Sequence, residues 1–306
     1  MSSFGRVAAV GVGGWLAWRI LGPEVPIDHG SPQQRPLRIA GRTVIVGERE
    51  FFYREVGPHD APPVVLIHGW SLDGEQTFFR LLPQLMDRYR VIVPDLRNHG
   101  KSDWIRGRFE VADAADEVAG VLDAVGIRDA TVLGYSLGGM VAQELARRRA
   151  GLVGALVLAA TAAHPVPVFK VATKAAFWLG QAVARISTTE AARLTTELVA
   201  RSGGLDRKHR RWFYEGLRRR DATLFYAAGH AAVRFDSRSW VGALGVPITV
   251  VIPTKDQLVR VPQQCELAEL AGAEVVEIAG IGHESILSHP EVYVDVLERV
   301  VKGAMG

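Results

Sequence analysis

Cysteine is almost absent from this chain of 306 residues, since Cys265 is the only one. A single thiol cannot form an internal disulfide or supply the set of cysteines that holds structural zinc. An excess of charge of one sign is also lacking, because 36 lysine and arginine residues face 33 aspartate and glutamate residues, a net charge of +3. Proteins that bind nucleic acid over a broad surface are more basic. We therefore expect stability from apolar packing and no nucleic-acid partner.

The apolar stretch at the N-terminus is too short to identify a membrane span by itself. Residues 7–18 carry no charge and are flanked by Arg6 and Arg19, whereas a membrane-spanning helix needs about 20 apolar residues. Extending the stretch over residues 4–21 requires both arginines to snorkel. Three interpretations of this segment stay open: a membrane anchor, a helix packed on the protein's own surface, and a cleaved signal peptide. We expect either membrane association through this segment or a cytoplasmic protein.

Strand and helix patterns alternate along most of the remaining chain, as they do in parallel α/β sheets. Four prolines over residues 22–38 predict an extended linker. It ends an N-terminal segment that we place over residues 1–35. Short apolar runs then predict eight strands, over residues 43–46, 51–56, 64–68, 90–94, 130–133, 154–158, 248–252 and 274–278. The first two form an antiparallel entry, and the later ones are apolar enough for strands buried on both faces. Helical patterns cover 111–125 and 140–149.

The alternation stops over residues 164–241, where only helical patterns occur. We expect a helical cap there, inserted into an α/β core formed by residues 36–163 plus 242–306. The cap is basic, with runs of arginine and lysine at 207–211 and 218–220. Such runs favour a solvated helix face. Attraction of the cap to an anionic membrane surface is the alternative.

A candidate nucleophile lies between a predicted strand and a predicted helix. Residues 134–138 read Gly-Tyr-Ser-Leu-Gly, a G-x-S-x-G pattern with Ser136 at its centre. In a strand–turn–helix setting this pattern forms a sharp turn that lifts the serine oxygen above the sheet. The glycines two residues before and after the serine remove side chains that would clash in such a turn. We predict that Ser136 is a catalytic nucleophile.

A serine nucleophile needs a base and an acid that orients the base. His283 follows the last predicted strand, in a short glycine-rich loop, and we predict it as the base. Asp256 follows the strand predicted over 248–252 and is the predicted acid. Glu284 is an alternative acid, but its position next to the base gives it poor geometry. His289, which precedes a proline at a helix start, is predicted to be structural.

Two backbone amides are predicted to form the oxyanion hole that such a serine requires. One is the amide of Leu137, directly after the nucleophile, and the other is that of Trp70, which follows a buried strand and the pair His-Gly. Trp70 and Tyr135 are also candidate walls of the substrate pocket. The polar loop over residues 95–103 predicts a hydrogen-bonded turn, with His99 as a second base being the less favoured alternative.

These motifs together resemble the α/β-hydrolase fold superfamily, in its serine esterase and lipase-like branch with a helical cap. The resemblance is carried by His-Gly-Trp at 68–70, DLRNHGKS at 95–102, GYSLGG at 134–139, Asp256 and GIGH at 280–283, and it covers the chain from about residue 37. It implies an α/β fold with an eight-stranded, mostly parallel sheet and a cap inserted after the sixth strand. Haloalkane dehalogenases and most epoxide hydrolases of this superfamily carry aspartate where Ser136 stands.

The predicted function is that of a serine hydrolase that cleaves a carboxylic ester through an acyl-enzyme, with a small acyl ester as its substrate. This chemistry needs no metal or organic cofactor. The same residues could act on a thioester or a carbon–carbon bond, or transfer an acyl group. A poorly catalytic, ligand-binding or membrane-associated protein of the same fold is the alternative from a different class. The oligomeric state stays open.

Overall fold

The computed structural model describes residues 35–165 and 188–304. The apolar segment predicted at the N-terminus lies outside these ranges, so the structure says nothing of it. Among the helices of the described ranges, none combines the length and the apolar character that crossing a membrane requires.

One sheet of eight strands forms the centre of the molecule, in the order β1-β2-β4-β3-β5-β6-β7-β8. Strand β2 is antiparallel to both of its neighbours, β1 and β4, and every later pair is parallel. The predicted eight-stranded, mostly parallel sheet with an antiparallel entry is confirmed. The strands are β1 (Gly41–Val46), β2 (Arg49–Val56), β3 (Pro63–Ile67), β4 (Arg90–Pro94), β5 (Ala130–Tyr135), β6 (Val153–Ala159), β7 (Ile248–Pro253) and β8 (Glu274–Ile278).

Helices cover both faces of the sheet and fill the insert between β6 and β7. In the described ranges they are α1 (Gly74–Phe78), α2 (Leu82–Leu85), α3 (Val111–Ala124), α4 (Leu137–Arg148), α5 (Thr188–Arg201), α6 (Arg210–Arg218), α7 (Ala222–Arg234), α8 (Val261–Ala271), α9 (Ser285–Ser288) and α10 (Pro290–Ala304). Helices α5, α6 and α7 belong to the insert, so the predicted helical cap after the sixth strand is confirmed. Its exact limits at residues 164 and 241, and the domain bounds drawn from them, stay predictions.

Two features of the sheet differ from the sequence-based expectation. Strand β5 runs on to Tyr135 and helix α4 begins at Leu137, so only Ser136 separates the two elements, where a longer turn was expected. The expectation that the later strands are buried on both faces is wrong for β8. That strand ends the sheet, where one flank has no neighbour, and Val275 in it is 45% exposed.

The central strands place alternate side chains in two apolar layers, as the period of two in a strand requires. Val65, Ile67 and Val132 lie in the layer that contains helices α3, α4 and α8. Val64 and Leu66 lie in the opposite layer, with helices α1, α2 and α10. All five side chains are fully buried. The sheet is therefore covered on both faces through its centre, which fixes the positions of the strand ends.

A buried network of ion pairs joins β2, α1 and the loop after β4. Arg54 is only 2% exposed and donates to Glu75 at 2.6 Å and to Asp95 at 3.4 Å. Glu75 also accepts from Arg35 at 2.7 Å. Burial raises the pKa of Asp95 to about 7, and the nearby carboxylate of Asp73 adds to that rise. Glu75 is thus the shared partner that keeps two guanidinium groups compensated.

We expect Glu75→Ala to lower the free energy of unfolding by about 3–5 kcal/mol, because it leaves Arg54 buried without its closest carboxylate. Urea denaturation followed by circular dichroism measures the loss. Glu298→Ala is the matched control, since Glu298 pairs with Arg88 at a largely exposed position and should change stability by less than about 1 kcal/mol. Equal losses in the two variants would contradict a stabilising role of the buried network.

Candidate active site

Ser136 lies in a strained turn at the carboxyl end of β5. Its backbone angles are φ 55° and ψ −118°, outside the regions that residues other than glycine normally adopt. Such a conformation costs on the order of 1–3 kcal/mol and persists only where the surroundings impose it. The Ser136 amide donates to the carbonyl of Ala159 on the neighbouring strand β6 at 2.9 Å. The turn therefore presents the serine hydroxyl above the carboxyl end of the sheet.

Close backbone contacts on both sides of Ser136 hold this turn. A Cβ atom at Gly138 would lie 2.1 Å from the carbonyl oxygen of Ile67, at the end of β3. A Cβ atom at Gly134 would lie 2.5 Å from the carbonyl oxygen of Gly138. Only glycine fits at either position, which is the physical reason for the spacing of the G-x-S-x-G pattern.

In the structure, Ser136 contacts the predicted base His283, and His283 contacts the predicted acid Asp256. His283 Nε2 lies 3.1 Å from Ser136 Oγ, and His283 Nδ1 lies 2.8 Å from Asp256 Oδ2. Asp256 follows β7 and His283 follows β8, so neighbouring parallel strands deliver both side chains to one edge of the sheet. Glu284, the alternative acid, does not take this place on Nδ1. His289, the other nearby histidine, instead contacts Ser288 Oγ at 2.9 Å.

The Asp256 side chain is fully buried and fully hydrogen-bonded. Its Oδ1 accepts from the amides of Leu258 and Val259, at 2.9 and 3.0 Å. Its Oδ2 accepts from Gln264 Nε2 at 3.0 Å, in addition to His283. Four donors around one carboxylate fix its orientation.

The loop after β3 lies against the Ser136 turn. A Cβ atom at Gly69 would come within 3.2 Å of Ser136 Cβ, so the next residue, Trp70, begins beside the serine. Leu137 begins helix α4 on the other side of Ser136. The two residues whose amides were predicted to bind an oxyanion thus follow Ser136 itself and Gly69, which packs against it.

Two buried histidines hold the loops around this turn. His68 Nδ1 donates to the carbonyl of Gly69 at 2.8 Å, and its Nε2 accepts from the amide of Leu96 at 2.9 Å. Burial holds the pKa of His68 well below its usual value and lowers that of His99 to about 4. His99 contacts the carbonyls of Arg97 and Trp70, at 2.9 and 2.8 Å, and not Ser136. The less favoured prediction of His99 as a second base therefore finds no support in its position.

Ser136 and His283 line an apolar cavity of about 370 Å³ between the core and helix α5. Trp70 and Tyr135, the two predicted pocket residues, both line it. Its apolar walls come from both the core and the insert: Leu72, Leu198, Val199, Leu258 and Leu287. The volume is near the small end of the range for sites that bind small molecules.

Three contacts that support the site have no sequence motif. Tyr135 donates through its hydroxyl to the carbonyl of His283, and burial raises the pKa of that hydroxyl well above its usual value, so the proton stays on. Gln264, on helix α8, supports Asp256 from eight residues away in sequence. The indole Nε1 of Trp70 donates to the carbonyl of Phe225 at 2.6 Å, which ties the loop after β3 to helix α7.

Within residues 35–165 and 188–304, no cluster of three histidine, cysteine or acidic side chains is placed to hold a metal ion. The polar side chains that line the cavity carry hydroxyl groups, the imidazole of His283 and the carboxylate of Glu284.

Comparisons with known proteins place this geometry in a wider context. A family model described as alpha/beta hydrolase fold matches residues 62–290. The non-heme chloroperoxidase of Streptomyces lividans is 30% identical over 257 residues, which cover 79% of this chain and 92% of that protein. The pimeloyl-[acyl-carrier protein] methyl ester esterase of Neisseria meningitidis serogroup B is 30% identical over 262 residues, or 82% of this chain and 97% of that protein. The enol-lactonase of Burkholderia xenovorans LB400 superposes with a TM-score of 0.73 at 23% identity, over 85% of this chain and all of that one, and shares the fold.

We expect Gly138→Ala to lower the free energy of unfolding by about 3 kcal/mol, because the new methyl group overlaps the carbonyl of Ile67. Gly151→Ala is the matched control, since a Cβ atom there meets no atom within 4 Å; its effect should stay within about 0.5 kcal/mol. Chemical denaturation of both variants measures the difference. A Gly138→Ala protein as stable as the control would show that the turn does not depend on this contact.

Proposed function

This chain belongs to the α/β-hydrolase fold family, and on that basis we propose that it is a serine esterase that cleaves small carboxylic esters. The observation that carries the proposal is the continuous line of contacts from Ser136 Oγ through both nitrogens of His283 to Asp256. Nucleophile, base and orienting acid at these separations are the arrangement that activates a serine. An esterase among the relatives supports the same reaction class.

In the proposed first step, Ser136 Oγ attacks the ester carbonyl while His283 Nε2 takes the serine proton. Asp256 accepts from Nδ1, which keeps the unprotonated nitrogen facing the serine and stabilises the imidazolium that forms. Because the carboxylate is buried and held by Gln264 and two backbone amides, it needs little rearrangement as this charge develops. His283 then returns the proton to the leaving alcohol, and an acyl-serine results.

We propose that the amides of Leu137 and Trp70 stabilise the oxyanion of the tetrahedral intermediate. Leu137 is the first residue of helix α4, so the positive end of the helix dipole also points at this position. Removal of one such donor slows serine hydrolases by about a hundred- to a thousandfold. In the second step water, deprotonated by His283, attacks the acyl-serine and releases the acid.

The cavity supports an apolar acyl group of limited length. Leu198, Val199 and Leu287 supply walls without charge, and about 370 Å³ is a small volume for a ligand site. Each methylene group that the acyl chain buries stabilises the bound substrate by about 0.8 kcal/mol, until the cavity is filled. Short and medium chains are therefore expected to react faster than palmitoyl.

Ser136→Ala should reduce hydrolysis of p-nitrophenyl esters by at least about a thousandfold, because the nucleophile is lost. Release of p-nitrophenol, followed across a series from acetyl to palmitoyl, measures the rate and the preferred chain length. Ser288→Ala is the control serine, located outside the cavity, and should hydrolyse like the unchanged protein. A folded Ser136→Ala protein with full activity would rule out the proposal.

Asp256→Asn should reduce kcat about ten-thousandfold at neutral pH, as the corresponding change does in serine proteases. The two backbone amides that face Oδ1 keep the remaining carbonyl oxygen of the asparagine on their side, so its NH2 group faces His283 Nδ1, and His283 loses its orienting acceptor. Glu284→Gln is the matched comparison and should lose less than about tenfold. The reverse order of the two effects would identify Glu284 as the acid.

A second candidate reaction is perhydrolysis, in which hydrogen peroxide replaces water in the second step and releases a peroxy acid. The observation that favours it is the similarity, 34% identity over 90 residues, to a protein of Acinetobacter calcoaceticus named bifunctional esterase/perhydrolase. Adding peroxide to the ester assay and measuring peroxy acid distinguishes the two acceptors for the same acyl-serine.

A further inference from the structure

A second cavity, of about 300 Å³, lies beside the first on the other side of Trp70 and helix α1, and the two share no lining residue. Its walls come from the core loops and from helix α6 with the residues that follow it. The linings differ in character, since charged side chains dominate the second one. They are Arg35, Arg54, Asp73, Glu75, Lys101, Glu215, Arg219 and Arg220.

The charges of this cavity do not balance. Five of the lining side chains are basic and three are acidic. Glu75 is fully used by Arg35 and Arg54, and Glu215 pairs at 3.6 Å with Arg218, which lies outside the cavity. Asp95, the other carboxyl on Arg54, has a pKa of about 7 and is only partly ionised near neutral pH. The lining therefore keeps an excess of positive charge.

Arg220 carries much of this excess. Residues 218–220 were predicted to form a solvated helix face, but Arg220 turns inward, over the ring of Phe225 at 5.2 Å. Its hydrogen-bond contact among the described residues is the neutral Gln76 Oε1 at 3.4 Å. Burial lowers the pKa of Arg220 to about 10, and Asp73 only partly offsets this. An anion with a full negative charge would therefore stabilise the guanidinium group of Arg220.

Two further arginines line the same cavity. Arg54 Nε is buried and has no hydrogen-bond acceptor within the described part of the chain, although the side chain is only 2% exposed. Arg219 has no ion pair within the described part of the chain, and it lies at the rim. An unpaired buried donor such as Arg54 Nε is rare, because it sacrifices a hydrogen bond that water would supply. Together with Arg220 they form a set of donors that matches an oxyanion.

Aromatic walls complete the cavity. Trp104 and Trp212 line it, and Trp212 is held edge-on against Phe79 with ring centroids 5.5 Å apart. Fixed aromatic surfaces favour a flat apolar group by area and by ring contacts. Gly216 also lines the cavity, and a Cβ atom there would lie 2.5 Å from Gln76 Nε2, so the end of that side chain would have to move.

We propose that this second cavity binds a small anion that carries a carboxylate or a phosphate on an aromatic ring. The site is separate from Ser136 and does not depend on the esterase reaction, since binding can be measured without turnover. His99 lines this cavity and contacts the carbonyl of Trp70, so a bound anion lies one residue away from the loop that flanks Ser136.

Isothermal titration calorimetry of the full chain with benzoate and with phenyl phosphate tests the proposal. At least one of the two should bind saturably, and the stronger one identifies the anionic group. Benzamide, the neutral analogue of benzoate, should bind at least about tenfold more weakly than the preferred anion, and inorganic phosphate should bind more weakly than phenyl phosphate.

Arg219→Gln and Arg220→Gln should each weaken binding of the preferred anion about tenfold or more, the usual effect of losing a charged hydrogen bond. Arg211→Gln is the matched control, because this exposed arginine lies in helix α6, shortly before Arg219 and Arg220, but does not line the cavity; its affinity should stay within about threefold of the unchanged protein. Arg219 is also exposed, so its variant tests the site even where Arg220→Gln fails to fold.

Three results would overturn the proposal. The first is an absence of saturable binding by both anions. The second is an equal loss of affinity in Arg211→Gln, which would indicate attraction to the basic surface in general. The third is unchanged affinity in Arg219→Gln and Arg220→Gln, which would place the anion elsewhere, in the Ser136 cavity above all.

Discussion

The contact between the backbone of Gly138 and the carbonyl of Ile67 is the constraint on which the site depends. It allows helix α4 to start against the end of β3, and a helix that starts there leaves only one residue for the turn. Ser136 must then adopt positive φ, and its hydroxyl rises above the sheet. The free energy for this strain comes from the sheet itself, because β5 is hydrogen-bonded between β3 and β6 and covered by apolar layers on both faces.

The loops around the Ser136 turn are held together by hydrogen bonds of buried, neutral side chains rather than by exposed charges. His68 joins the loops after β3 and β4 as a neutral ring, since one nitrogen donates and the other accepts. Tyr135 joins the turn to the loop of His283 through a hydroxyl that burial keeps protonated. Burial lowers the pKa of His68 and raises that of Tyr135, so both groups stay neutral and their contacts do not depend on gaining or losing a proton. Asp256 is the exception, and its four donors hold it in place.

The sequence predicts those features of the site that depend on residues near each other in the chain. The glycines around Ser136 are required by contacts within one turn and its neighbouring strand, and Asp256 and His283 each follow an apolar strand directly. Gln264 could not be found in this way, because its role arises only when helix α8 folds back over the loop of Asp256. Arg220 was misread for a similar reason: a run of three arginines indicates a solvated surface, and nothing in the run indicates that its last member turns inward. The exposure of β8 likewise depends on its place at the end of the sheet, which its apolar pattern does not reveal.

One cavity is apolar and the other is basic, and the two proposed functions require this difference. A guanidinium next to Ser136 would compete with the proposed oxyanion donors and would oppose formation of an imidazolium at His283, because a like charge in a poorly solvated cavity interacts strongly. Trp70 stands between the two spaces, stacked on Phe225 with ring centroids 4.6 Å apart and fixed to helix α7 by its indole nitrogen. Its ring keeps the basic groups of the insert out of the apolar cavity, while its backbone, in contact with His99, joins the walls of both. Helix α1 borders both cavities as well, since Gln76 lines one and Thr77 the other, so Trp70 and this helix are the two elements that connect them.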